Sequence, residues 1–193
     1  MLIKNDFEVA QPVEKVWEFF GDIPKVAACL PGTELTTELG DDSYEGTVAV
    51  RMGPVKLSFA GKAKITERDE AAKRLVVDAS GAEARGRGQA SMVVTATLSR
   101  SGKGTKVGVA QDLQLSGAAA QYGRGMISDV TTVLMRDFSA NLARAIDAAD
   151  RGESVTAATA APASGFALGL RAARMALARV FRRFFLPYQP SQS

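Results

Sequence analysis

Between residues 33 and 115 the chain carries six successive stretches in which apolar and polar residues alternate. They cover about 33–39, 44–52, 55–68, 74–80, 89–100 and 105–115, and turn signals at Gly40-Asp41-Asp42, Gly53-Pro54, residues 70–73 and Ser101-Gly102-Lys103-Gly104 separate them. That period of two predicts antiparallel strands. Ile3, Phe7 and Val9 predict a further strand over residues 2–10. Pro12 suits the first turn of a helix carrying Val13, Val16, Trp17 and Phe20. Asp22 can cap a second short helix, which Pro31-Gly32 ends. From about residue 118 to 149 the period becomes helical, with Tyr122, Met126, Val130, Val133 and Leu134 as the expected apolar face. Six consecutive strands curl, and only this last helix is long enough to fill their concave side. The expectation is an α+β domain over residues 1–149, with a largely apolar cavity between sheet and helix.

Beyond it, residues 150–164 are rich in Ala, Thr and Ser and read as a flexible linker. Residues 165–193 form a tail whose residues 165–186 fit a basic amphipathic helix. Phe166, Leu170, Leu177, Phe181 and Phe184 fall on one arc, and Arg171, Arg174, Arg179, Arg182 and Arg183 on the other. Those arginines make a membrane crossing costly, at roughly 2.5–3.5 kcal/mol each near a helix centre. Lying flat instead gives each about 1 kcal/mol against anionic headgroups. A peripheral helix on the inner face of the cell membrane is therefore expected, with docking on a partner protein as the alternative.

The tail holds five of the 24 basic residues and no acid, so the remainder has 19 basic against 21 acidic residues. A slightly acidic body makes a nucleic-acid partner a poor fit. Histidine is absent, which removes the commonest general base and transition-metal ligand. Cys29 is the single cysteine and reads as a structural thiol. Gly102-Lys103-Gly104-Thr105 reads as a hairpin turn and not a phosphate loop, and Gly86-Arg87-Gly88 as a loop or bulge. No catalytic constellation and no metal site emerge. The N-terminus enters a strand pattern without an apolar leader, so a cytoplasmic body is expected.

Three stretches carry a family resemblance. Val9-Ala10-Gln11-Pro12-Val13-Glu14-Lys15-Val16-Trp17 is similar to the opening of START-like helix-grip domains, also called Bet v 1-like or polyketide-cyclase domains. Asp22-Ile23-Pro24-Lys25-Val26-Ala27-Ala28-Cys29-Leu30-Pro31-Gly32 and residues 115–125 resemble the branch named for the CoxG subunit of carbon monoxide dehydrogenase. The spacing of Tyr44, Gly46, Val48, Val50, residues 52–55, Phe59 and Gly61 agrees. The resemblance covers about residues 1–147. It implies a helix-grip fold and a non-catalytic accessory role beside a carbon monoxide dehydrogenase-type molybdenum hydroxylase, coupling that enzyme to the membrane.

The candidate site is a binding cavity. If Val107, Val109, Leu113 and Leu115 point inward, Gln111 points inward with them, as does Asn5 between Ile3 and Phe7. Two neutral amides on apolar faces can hydrogen-bond a ligand or satisfy neighbouring backbone and buried water. Candidate apolar lining residues are Phe7, Phe20, Leu30, Val48, Val50, Phe59, Tyr122 and Met126. The segment 29–32 and the loops after Arg51 and Ala82 are expected at the cavity mouth. The ligand expected from an apolar cavity, a membrane tail and a redox partner is a lipid quinone, menaquinone or ubiquinone, carried by a monomer. A tether or maturation factor without a ligand, and a cyclase, are the alternatives.

Overall fold

The computed structural model describes residues 1–152. The tail and most of the linker, and with them every membrane-facing residue named above, lie outside the described residues. The order is β1 (Leu2–Val9), α1 (Val13–Phe20), α2 (Ile23–Cys29), β2 (Thr33–Gly40), β3 (Ser43–Met52), β4 (Val55–Asp69), β5 (Arg74–Glu83), β6 (Gln89–Ser101), β7 (Gly104–Leu115), a 3₁₀ turn (Gly117–Gln121) and α3 (Arg124–Asp150). The strands make one antiparallel sheet in the order β1-β7-β6-β5-β4-β3-β2. β1 and β2 are thus its two edges, and the short helices bridge them. This is the expected α+β architecture, a curved sheet gripping a long helix.

Local chemistry sets most element ends. The Asp22 side chain accepts from the Lys25 amide at 3.1 Å and caps α2. Pro12 stands one position earlier than expected, at the N-cap of α1, where its carbonyl accepts from Lys15 and Val16. Asp41 and Asp42 both take positive φ between Gly40 and Ser43, the tight turn that matches strand twist. Residues 101–104 form the hairpin turn that the sequence predicts.

α3 differs from expectation. It begins at Arg124 and not near residue 118. The Ala118 amide donates to the Arg87 carbonyl at 2.6 Å, and a Cβ on Gly117 would lie 2.2 Å from that oxygen. The chain there is pinned to the β5–β6 loop and cannot wind into the helix. The buried stripe also shifts: Ile127, Thr131, Phe138, Leu142, Ala145, Ile146 and Ala148 face inward. Met126 and Val133, expected on that stripe, stay 44% and 47% exposed.

The link from α2 to β2 is a fastening. Leu30 is extended, as the residue before a proline must be, and Gly32 sits at φ +76°. A Cβ there would come within 2.3 Å of the Ala49 carbonyl, while Ala49 donates its amide to Gly32. Asn141 Nδ2 donates to the Cys29 carbonyl at 2.9 Å, tying α2 to α3. Burial pushes the Cys29 thiol up to about 12, so it stays protonated and inert at neutral pH.

The β5–β6 loop is organised by a buried carboxylate. Glu83 accepts from the Arg85 and Arg87 amides at 2.9 and 3.3 Å and from the Arg87 guanidinium at 3.3 and 3.4 Å. The guanidinium, with those amides, holds the carboxyl below the usual carboxylate value.

Both fastenings can be tested by substitution. Gly32→Ala should cost roughly 3 kcal/mol by chemical denaturation, against about 1 kcal/mol for Gly53→Ala, whose φ is also positive but whose Cβ meets nothing. Equal costs would refute the role given to the Ala49 contact. Because folding lowers the pKa of the Glu83 carboxyl, its contribution is present above the unfolded carboxylate's value and is lost as pH falls through the folded one. Glu83→Gln should therefore lose less stability than the parent chain as the pH is lowered through the carboxylate range.

Candidate ligand-binding site

Directly opposed residues in an antiparallel sheet share a face. On the concave side one row runs Leu35, Gly46, Gly61, Gly81 and Ala90, from β2 to β6. The next row runs Tyr44, Ala63, Ala79, Met92 and Leu113. A Cβ on Gly61 would fall 2.0 Å from the Ser80 carbonyl, and one on Gly46 2.6 Å from that of Glu34. Glycine is required because the strand backbones crowd each other where the sheet bends. The consequence is a floor of hydrogen atoms and methyl groups in the middle of the sheet.

Large side chains gather on either side of this floor. One cluster joins Val9, Val16, Phe20, Phe138 and Leu142, with the Phe138 ring edge-on to Phe7 at 5.8 Å and Phe20 at 6.4 Å. The other joins Ile3, Met52, Leu57, Ala119 and Ile127.

Helix phase shows which side of α3 is left open. Asn141 marks the flank that α2 covers, and Thr132, which accepts from Asn5, marks the flank over β1. At about 100° per residue, Met126, Val130 and Val133 all lie within about 80° of Asn141 and Thr132 lies opposite. Near the start of α3 that flank therefore carries apolar residues toward the β2–β3 side of the sheet. Val48, on the concave face of β3, is itself 39% exposed. Val48, Met126 and Val133 are thus apolar side chains left partly exposed along this flank.

Two amides meet this interior. Ile3 pairs with Gln111 and Asn5 with Val109, so Asn5 and Gln111 are diagonal neighbours on one face. Asn5 Nδ2 donates to Thr132 Oγ1 at 3.4 Å, and that hydroxyl donates in turn to the Ser128 carbonyl at 2.9 Å. The hydroxyl hydrogen is thus committed, which orients the amide. Asn5 Oδ1 is then buried with no hydrogen-bond partner. Gln111 is 7% exposed, and its side-chain amide has no partner among the described residues. An unpaired buried acceptor costs about 1–3 kcal/mol.

The expected lining residues divide between these places. Phe7, Phe20 and Leu30 belong to the cluster around Phe138. Val50, Phe59 and Tyr122 pack on the cluster around Ile127. Val48 and Met126 border the open flank, with Val48 directly opposite Phe59. Sequence reading missed Gly81, Ala63 and Ala79 in the floor and Val130 and Val133 on the flank as site residues. The floor becomes visible only once strand register is known.

A groove of about 330 Å³ lies elsewhere, between α1 and the β4–β5 hairpin, lined by Glu14, Trp17, Glu18, Arg68, Lys73 and others. Its mixed charges and the Lys73 ammonium over the Trp17 ring at 5.4 Å make it a poor seat for an apolar ligand.

Comparison with known proteins places the architecture. A conserved protein from Geobacillus kaustophilus matches with a TM-score of 0.67 at 19% identity, over 76% of this chain and 95% of that one. The Zhui aromatase/cyclase from Streptomyces matches with a TM-score of 0.56 at 14% identity, over 78% and 96%. A protein from Thermus thermophilus matches with a TM-score of 0.53 at 14% identity, over 74% and 97%. These likenesses establish the START/Bet v 1-like helix-grip fold. No curated protein sequence matches the chain. The profile of the CoxG subunit of carbon monoxide dehydrogenase matches residues 6–147, and the chain belongs to that family.

Proposed function

We propose that this chain is a non-catalytic accessory subunit that carries a lipid quinone, menaquinone or ubiquinone, for a carbon monoxide dehydrogenase-type molybdenum hydroxylase. The observation that carries the reading is the buried, unpartnered Asn5 Oδ1, with the Gln111 amide diagonal to it, on a largely apolar concave face. A quinone ring offers two carbonyl oxygens, and its reduced form offers two hydroxyl groups. Gln111 can donate to a carbonyl, while Asn5 Oδ1 can accept from a hydroxyl. The small-residue floor leaves room for a flat ring, and the flank bearing Val48, Met126 and Val133 suits an isoprenoid chain. Burial of that chain drives binding at ~25 cal/mol per Å² of apolar surface.

Attachment of the body to the inner face of the cell membrane is assigned to the arginine-rich tail of the sequence. The carrier would take quinone from the bilayer, shield it from water and present it to the hydroxylase, so that electrons leave the enzyme for the respiratory chain. Among the described residues no helix is long and apolar enough to cross a membrane. A peripheral attachment is consistent with that.

The full chain, stripped of lipid and incubated with quinone-loaded vesicles, should retain quinone after the vesicles are removed. Gln111→Leu should lower retention roughly tenfold, the loss of about one hydrogen bond. Its folding stability should change little, because no side-chain hydrogen bond of Gln111 within the described residues is lost. A folded parent chain that retains no quinone would leave a tethering subunit in place of a carrier.

A further inference from the structure

The cations of the body are partnered very differently at the two ends of the sheet. At the end holding the β4–β5 turn, ion pairs join Lys15 to Asp150, Arg68 to Asp42, Lys73 to Glu70, Arg74 to Glu67 and Arg100 to Glu14. Lys64, Lys103 and Arg144 form no ion pair there among the described residues, though Arg144 donates to the Ala140 carbonyl and to Asn141. The opposite end holds the β3–β4 turn, the β5–β6 loop and the start of α3. Its exposed Arg51, Lys56, Arg85 and Arg124 form no ion pair among the described residues. Arg87 is paired with Glu83, and the terminal ammonium with Asp112. Asp129, one turn into α3, is the unpaired carboxylate that this end carries.

Two of these placements cost stability locally. Arg51 and Lys56 stand directly opposite each other across the β3–β4 ladder, like charges on neighbouring strands. Arg124 opens α3, where the helix dipole is positive and no acid stands in the first turn. The exposed tip Gly53-Pro54 and the side chain of Met126 lie among them.

We propose that this end of the body is a docking face for anionic lipid headgroups, contacted by Arg51, Lys56, Arg85 and Arg124. The cations come from separate elements and ring an end instead of converging on a pocket, which suits a broad charged surface. Each would contribute about 1 kcal/mol near an anionic bilayer. The rest of the body is slightly acidic, so the same field would repel the opposite end and orient the domain. The face is distinct from the tail, and its docking does not depend on what the concave side holds.

The test uses the full chain with one reporter cysteine, either Ala84→Cys at this end or Lys103→Cys at the other. Cys29 is fully buried and will not take the label. Each protein is labelled with a fluorophore and mixed with vesicles of phosphatidylcholine and brominated phosphatidylglycerol. Any contact made by the tail is common to both proteins, so the difference reads the orientation of the body. Quenching should be several-fold greater at position 84 than at 103. Changing Arg51, Lys56, Arg85 and Arg124 together to Glu should abolish that difference. Equal quenching at the two positions, the reverse order, or a difference that survives charge reversal would overturn the proposal. So would a reversed variant that keeps the difference but no longer captures the hydroxylase, which would make the face a protein contact. A chain that binds no quinone yet shows the quenching difference would refute the carrier reading and leave this one standing.

Discussion

Backbone crowding at Gly46, Gly61 and Gly81 is the constraint from which the rest of this structure follows. No side chain fits on those carbons, so the centre of the concave face cannot be filled from the sheet. The large buried residues of the long helix belong to the two apolar clusters on either side of it. Asn5 Oδ1 is buried on that face with no hydrogen-bond partner, and a ligand with polar groups on an apolar frame would supply one.

The fastenings around that face are rigid. Gly32 against Ala49, Asn141 on the Cys29 carbonyl and the Glu83-centred loop pinned to residues 116–118 each hold an element by backbone hydrogen bonds or close contact. None of these devices is catalytic. Their combined effect is to keep α2, the β5–β6 loop and the start of α3 in place around the concave face. The Cys-Leu-Pro-Gly run acquires a physical meaning here. Its cysteine is buried packing, its proline holds Leu30 extended, and its glycine permits the contact with β3.

Strand number, strand order of appearance and the two short helices were legible because alternation and turn chemistry are local signals. Gln111 was legible for the same reason: a period of two carries it inward with Val107 and Val109, and it is buried. The start of α3 was not, because the alanines at 118–120 favour a helix only when nothing pins them, and the pin is a carbonyl from a distant loop. Helix phase failed for a related reason. Met126 and Val133 are as apolar as Ile127 and Phe138, and only the positions of β1 and α2 decide which set is covered. Register-dependent features, the glycine row above all, have no signature in one strand alone. The resemblance to the CoxG family supplied what periodicity could not, namely the kind of system in which such an interior would be used.

The proposed function stands or falls on a water-insoluble ligand held beneath α3. Organic extraction of the full chain, purified in folded form from the membranes of its own cells, followed by mass spectrometry, tests this most directly. A quinone should be present at close to one molecule per chain. A folded preparation whose extract contains no quinone or other lipid above the level of a control protein would contradict it.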